Sequence, residues 1–178
     1  MSKTNNLVFK GLHVVAWIIF VGLCIEAGGL IVNFIYTVFN PDMVQYLYQK
    51  LDLTELYQAS SVAFYSTFSF VLILSILKAH LFYLVVMLMH KIDLSNPFNS
   101  VVARQLSQIS YFTLSIGLLS YLAREVASNL MHHGYPIDNV GSYWTDSQAF
   151  ILMGAVIYII ATIFRKGVEI QNENELTV

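Results

Sequence analysis

Two ionisable side chains inside apolar stretches, Lys78 and Glu26, are the residues of this sequence best placed for chemistry. Lys78 lies near the middle of the apolar run 71–90, and a run of about 20 such residues is long enough to cross a bilayer as one helix. A cation at that depth costs about 2.5 kcal/mol or more, so it requires a partner or a water-filled pocket. Glu26 is the one carboxylate well inside the first apolar stretch, and we predict that it is this partner.

The predicted depths of the two side chains agree. At about 1.5 Å per residue, Glu26 lies about 24 Å along its helix from Lys10, and Lys78 lies about 20 Å along its own from Lys91. We therefore expect the two side chains to be neighbours. Two interpretations are open: a structural ion pair that fixes how two helices pack, and a proton- or ligand-coupled pair of the kind that ionisable membrane residues often form.

Three further polar residues are accessory candidates. His80 lies two positions from Lys78 and points to a different face of the helix, so it does not extend the pair. Arg124 and Glu125 are adjacent near the outer end of the third apolar stretch. Adjacent side chains diverge on a helix, so each needs its own partner, or Arg124 extends to the interface.

The histidines provide two alternatives that involve a metal or a haem. His13 and His90 are expected near the cytoplasmic boundary on different helices, an arrangement that can hold a haem or a metal ion, but no second pair matches them. Outside the membrane, imidazoles and carboxylates that can bind zinc occur at His132, His133, Asp138 and Asp146. Their spacing is not distinctive. We expect ordinary interfacial histidines, no metal and no cofactor.

The composition is typical of a membrane protein. Of the 178 residues, 57% are hydrophobic and 11% are charged, and the apolar residues form long runs, which predicts one domain of membrane-spanning helices in a lipid bilayer. The net charge of −2 provides no basic patch for direct binding of nucleic acid. The sequence contains no phosphate-binding loop, catalytic carboxylate pair or nucleophilic triad, so we expect a protein that is not an enzyme.

The apolar runs predict an all-α fold, a bundle of four transmembrane helices. The predicted spans are 7–39, 62–89, 101–131 and 149–164. After the first span, Asn40 and Pro41 favour a new helix start. We predict a short amphipathic helix at the extracytoplasmic interface, because apolar residues follow at helical spacing, namely Val44, Leu47, Tyr48 and Leu51.

The third predicted span is expected to be buried in the bundle. Asn99 or Ser100 is expected to cap its start, and the loop after it ends in Tyr143 and Trp144, which are typical of the headgroup boundary. The span contains small residues that let helices approach closely in lipid, namely Ser107, Ser110, Thr113, Ser115, Gly117 and Ser120.

The last residues, 165–178, form an acidic tail that must leave the membrane, because the apolar pattern ends abruptly at Arg165. Such a tail can bind a basic protein surface, and a tail that is merely solvated is the alternative. The candidate partner-binding residues are Glu169, Gln171, Glu173 and Glu175.

Two short motifs connect the chain to a known family. One is Asn96-Pro97-Phe98 before the third span, and the other is the chain end, with Gly167, Ile170, Gln171, Glu173, Glu175, Leu176 and Thr177. On these residues the sequence resembles the YoaS-like family, which comprises uncharacterised bacterial four-span membrane proteins (DUF2975). That family usually has leucine at position 170 and aspartate at position 175. The resemblance implies a small helix-turn-helix regulator as partner, because members are often encoded beside one.

Three classes of function are therefore considered. The first is a non-enzymatic membrane partner or regulator of a small DNA-binding protein. The second is a small transporter or ion-coupled sensor that uses Glu26 and Lys78. The third is a haem-binding or enzymatic membrane protein. All three place a multi-pass protein in the bacterial cytoplasmic membrane.

The distribution of cations predicts that both termini are cytoplasmic. Six of the eight span-flanking Lys and Arg residues, all except Lys50 and Arg124, fall on one side of the predicted spans, and cytoplasmic loops carry an excess of such residues. Reporter fusions at Ser2 and Val178 should therefore both read cytoplasmic. A C-terminal fusion that reads external would remove one of the spans.

Overall fold

The computed structural model describes residues 3–40, 44, 51, 53–92, 98–135, 137 and 140–175. In this part the protein is all-α, as the sequence predicts, and four helices are long and apolar enough to cross a membrane. The α-helices are α1 Lys3–Phe39, α2 Thr54–Ala59, α3 Ser61–Lys91, α4 Ser100–His132 and α5 Ser147–Glu175, and a 3₁₀ helix covers Gly141–Tyr143.

The helix bounds differ from the predicted spans mainly in α5. This helix does not end at Phe164 but continues through the polar tail to Glu175. Glu, Gln and Lys are good helix formers, and Lys166 and Glu169 form an ion pair at i,i+3 along it. The short helix predicted for 40–52 lies mostly outside the described residues, and α2 begins after it.

Side-chain caps define where α3 and α4 begin. The Asn99 side chain accepts a hydrogen bond from the Val102 amide at 2.9 Å, which confirms the predicted cap of the third span. Ser60 caps α3 in the same way by accepting from the Ala63 amide at 3.3 Å. Each cap satisfies one of the backbone donors that the first turn of a helix leaves without a partner.

The transmembrane helices pack in chain order: α1 on α3, α3 on α4, and α4 on α5. Aromatic pairs fix the antiparallel register of α1 and α3, with Phe20 packing against Tyr83 and Phe34 against Phe68. The α4–α5 contact is the most extensive of the three. Of the four candidate spans α4 has the largest buried share, so the burial predicted for the third span is confirmed.

Small residues allow α4 and α5 to approach closely. A Cβ atom added to Gly117 would lie 2.8 Å from the backbone nitrogen of Ile151, and one added to Gly154 would lie 2.7 Å from the Leu114 side chain. The Ser110 hydroxyl donates to the Gly154 carbonyl at 2.9 Å across the interface. Of the small residues predicted to face a neighbouring helix, Ser115 alone is exposed.

The chain reverses sharply after α4. The Gly134 amide donates to the Met131 carbonyl and the Tyr135 amide to the Leu130 carbonyl, a helix-ending pattern that places a residue in the left-handed region. Gly134 has a φ of 83°, which glycine adopts without a steric penalty. This turn starts the returning segment, residues 133–146, of which 136, 138 and 139 are outside the described residues.

The returning segment folds back along the C-terminal half of α4. α5 begins at Ser147, whose carbonyl lies beside Gly117 in the middle of α4. Ile137, Val140 and Trp144 of the returning segment are buried in one apolar cluster with residues of α2, α3 and α4. Trp144 is only 5% exposed, so its side chain packs inside the protein, while the headgroup boundary expected for it stays a prediction.

The close α4–α5 contact predicts the effect of adding one methyl group. Gly117→Ala should lower the thermal midpoint of the protein in detergent, because backbone atoms of α5 occupy the required space and overpacking costs about 1–3 kcal/mol. Gly22→Ala on α1 is the matched control, since nothing lies within 4 Å of its added Cβ. It should leave the midpoint unchanged or raise it. Equal effects of the two variants would contradict the proposed packing.

Candidate functional site

The Lys78 ammonium is held by the returning segment. Its Nζ donates a hydrogen bond to the Tyr143 backbone carbonyl at 2.9 Å and lies 6.0 Å from the centroid of the Phe150 ring. Tyr143 is the last residue of the 3₁₀ helix, and the carbonyls at a helix C-terminus attract cations. The cation is therefore stabilised by a carbonyl dipole and an aromatic face.

Glu26 lies level with Lys78 on the neighbouring helix. The Phe20–Tyr83 ring contact sets the register of the two helices. Glu26 lies six residues after Phe20 on α1, and Leu77, the neighbour of Lys78, lies six residues before Tyr83 on α3. Both ionisable side chains are half-buried. The structure therefore places Glu26 and Lys78 on neighbouring helices at similar depths, as the sequence predicts.

Glu26 and Lys78 do not touch. Among the described residues the one ion pair within 4.0 Å is Lys166–Glu169. The negative charges of Glu26 and Asp146 nevertheless act on the Lys78 ammonium over a longer distance. The arrangement is a half-buried cation bonded to a backbone carbonyl, with one carboxylate on α1 and another just before α5.

The chemistry of this site is that of one ammonium group and two carboxylates. A lysine in such a position stabilises the backbone that it contacts and attracts carboxylates, while Glu26 and Asp146 provide groups that can accept protons or cations. The structural and the functional interpretation of Glu26 and Lys78 both stay predictions.

The accessory candidates lie away from Lys78. The ring centroid of His80 is 4.5 Å from that of Phe112 on α4, so His80 uses a different face of α3, as its spacing predicts. Arg124 and Glu125 are exposed on the C-terminal half of α4. Neither belongs to an ion pair within 4.0 Å in the described part of the chain.

His13 and His90 come together at one end of α1 and α3. Their ring centroids are 6.4 Å apart, and both line an apolar cavity of about 330 Å³ with Trp17, Phe20 and Tyr83. The Nε2 atom of His13 is buried and has no hydrogen-bond partner among the described residues. The structure thus joins the two histidines, while the haem or metal hypothesis stays untested.

The second histidine group is only partly described. His132 and His133 are exposed, and the ring of His133 is within hydrogen-bond distance, 2.8 Å, of the Asn129 carbonyl. Asp138 lies outside the described residues. Within the described residues, no group of three or more His, Cys, Asp or Glu side chains is arranged to hold a metal ion.

The acidic residues of the tail lie on the last turns of α5. Glu169 is exposed and its carboxylate accepts from Lys166 at 2.6 Å. Glu173 is exposed and Gln171 is half-buried. The Glu175 side chain lies outside the described residues.

Sequence reasoning missed the group that contacts Lys78. A backbone carbonyl has no side-chain signature, so Tyr143 could not be recognised as its acceptor. One signal was present in the loop before α5: apolar Ile137, Val140 and Trp144 follow one another at helical spacing. That pattern indicates a segment packed against the bundle and not a solvated connection.

Fold and site together define a multi-pass integral membrane protein with four membrane-spanning helices. Residues 47–178 match the family described as Protein of unknown function (DUF2975), and the chain belongs to this family. The family expected from the sequence is thereby confirmed. Comparisons with curated proteins and with solved structures found no match.

The Lys78 geometry predicts unequal effects of removing the two charges. Lys78→Met should loosen the returning segment, because a hydrogen bond to a charged group contributes about 1.5–3 kcal/mol. It should not unfold the segment, since burial of Ile137, Val140 and Trp144 contributes about 1.5–3 kcal/mol for each large apolar side chain. Glu26→Gln should be milder because it leaves the Lys78–Tyr143 bond intact.

Trp144 fluorescence in a Trp17→Phe background measures this difference. Lys78→Met should shift the emission to the red and increase quenching by acrylamide, while Lys91→Met serves as the control for loss of a cation. Glu26→Leu combined with Lys78→Met tests coupling in detergent stability. Additive losses would show that the two charges act independently, and an unchanged Trp144 environment in Lys78→Met would contradict the role of the Tyr143 contact.

Proposed function

We propose that this protein is a non-enzymatic regulator in the bacterial cytoplasmic membrane that binds a cytoplasmic partner through the acidic end of α5. The observation that carries the proposal is the continuity of α5. This helix begins directly after the segment held by Lys78 and continues without a break from Ser147 to Glu175, past the end of its apolar part. One continuous helix therefore connects the returning segment to the tail.

The end of α5 has the properties of a binding surface. Glu169 and Glu173 are exposed on a helix and so are held in fixed relative positions. Lys166 neutralises part of the Glu169 charge, which leaves a moderately acidic surface and not a strongly charged one. Complementary charge of this kind favours rapid association and selects a partner with a basic surface.

A small helix-turn-helix transcription factor has suitable chemistry for this role. Such proteins carry basic surfaces because they bind DNA phosphates, and the family resemblance implies such a partner because members are often encoded beside one. Binding at the membrane would hold the regulator away from DNA if its basic surface meets the tail. Cytoplasmic termini, which the positive charges favour, are a requirement of this proposal.

A small ion-coupled sensor or transporter is the second candidate. Its support is the charge cluster of Glu26, Lys78 and Asp146, in which both Glu26 and Lys78 are half-buried on membrane-spanning helices. The double variant of Glu26 and Lys78 distinguishes the candidates. A functional pair would show recovered stability with the cellular phenotype still lost.

Neutralising the tail should weaken partner binding. In Glu169→Gln/Glu173→Gln/Glu175→Gln, capture of the proposed partner, a small helix-turn-helix regulator, by the purified membrane protein should fall severalfold. Added salt should reduce capture by the unsubstituted protein because exposed charges are screened. The control is Glu55→Gln/Glu125→Gln, which removes exposed acids far from the tail. Unchanged capture by the tail variant at low salt would remove the tail from the proposal.

A further inference from the structure

A second cavity, whose lining includes charged and hydroxyl side chains, lies between the start of α4 and the C-terminal part of α5. Its volume is about 340 Å³, and the side chains that line it include Ser100, Arg104, Ser107, Arg165 and Glu169. It lies at the end of the apolar part of α5, where the sequence changes from Ile163-Phe164 to Arg165-Lys166. Such a boundary position is accessible both to lipid headgroups and to soluble molecules.

The two arginines of this cavity are available to an anion. The Arg165 guanidinium donates from Nη2 to the Ser107 hydroxyl at 3.1 Å, and that hydroxyl in turn donates to the Ala103 carbonyl at 3.0 Å. This chain of bonds orients Arg165 beside the cavity. Neither Arg104 nor Arg165 has a carboxylate within 4.0 Å among the described residues.

Among the described residues, the one acidic side chain that lines the cavity is already paired. The Glu169 carboxylate accepts a hydrogen bond from Lys166 at 2.6 Å and forms an ion pair with it. Within the described lining of the cavity, the charges that remain are therefore those of Arg104 and Arg165. A net positive, partly enclosed site attracts anions more strongly than an exposed lysine does.

Backbone donors at the start of α4 complement the arginines. Asn99 accepts from the amides of Val102 and Ala103, through its side chain and its carbonyl respectively. Helix geometry leaves the amides of Ser100 and Val101 without a partner inside the helix. Amides at a helix N-terminus favour phosphate, and arginine binds phosphate oxygens with paired donors.

We propose that this cavity binds a phosphate group through Arg104, Arg165 and the start of α4. The ligand class is a phosphate ester with net negative charge, either the headgroup of an anionic phospholipid or a soluble phosphorylated molecule. Two guanidinium groups, the Ser100 hydroxyl and the Ser100 and Val101 amides provide donors on more than one side of a phosphate. The site is separate from Lys78 and does not depend on the proposed regulatory function.

Ligand-dependent thermal stabilisation of the detergent-purified protein tests the proposal. The probes are phosphatidylglycerol, phosphatidylcholine, glycerol 3-phosphate and inorganic phosphate. Phosphatidylglycerol should stabilise the protein more than zwitterionic phosphatidylcholine does. Stabilisation by phosphatidylglycerol alone identifies a lipid headgroup, and stabilisation by glycerol 3-phosphate or inorganic phosphate identifies a soluble ligand.

Substitutions test whether the anion binds in this cavity. Arg104→Gln/Arg165→Gln should weaken the effective anion affinity by about tenfold or more, since bonds to charged groups are the strong ones. Lys10→Gln/Lys91→Gln, which removes two cations from α1 and α3, should leave it unchanged. Val168→Trp fills the cavity while both arginines remain, and it should also abolish stabilisation, so it decides the question if the arginine variant fails to fold.

Three results would overturn the proposal. They are no stabilisation by any anionic probe, stabilisation that survives both the arginine substitutions and Val168→Trp, and an equal loss in Lys10→Gln/Lys91→Gln. The last result would indicate a diffuse attraction of anions to the membrane boundary and not a defined site.

Discussion

The need to satisfy one cation inside a membrane protein shapes much of this structure. Lys78 lies on a membrane-spanning helix, where a charge without a partner is costly, and its ammonium donates to the Tyr143 carbonyl. That bond requires the returning segment to lie against α3. The segment in turn buries Ile137, Val140 and Trp144 and determines that α5 starts opposite the middle of α4. Non-helical backbone at such a position is stable because protein covers it.

The sequence predicted the helices well because long apolar runs and caps are local signals. The bounds of α3 and α4 agree with the predicted spans within two residues, and the Asn99 cap is where its residue type indicated. The register of α1 and α3 followed from distances along each helix. The end of α5 was not predicted, because a change from apolar to polar residues indicates where a helix leaves the membrane and not where it stops.

The candidate site was only partly predictable for a physical reason. Charge and depth indicated that Lys78 needs a partner and that Glu26 is level with it. The structure places the two side chains at similar depths on neighbouring helices but does not bring them into contact. The direct partner is a backbone carbonyl in a loop, and its position depends on how that loop packs. Likewise, Arg104 and Arg165 are far apart in sequence, and only the α4–α5 register brings them to one cavity.

Packing also determines which parts of the bundle can move together. α4 and α5 are joined by backbone-close glycine contacts and by the Ser110–Gly154 hydrogen bond, so they resist sliding past each other. Among the long helices, α1 makes an extensive contact with α3 only. Lys78 bonds from α3 to the segment that leads into α5, and the Glu26 carboxylate acts on it from α1. A change of charge or hydration at Lys78 therefore acts between the α1–α3 pair and the α4–α5 pair. Because α5 is unbroken, a resulting tilt of the α4–α5 pair would displace its acidic end by an amount that grows with distance from the contact.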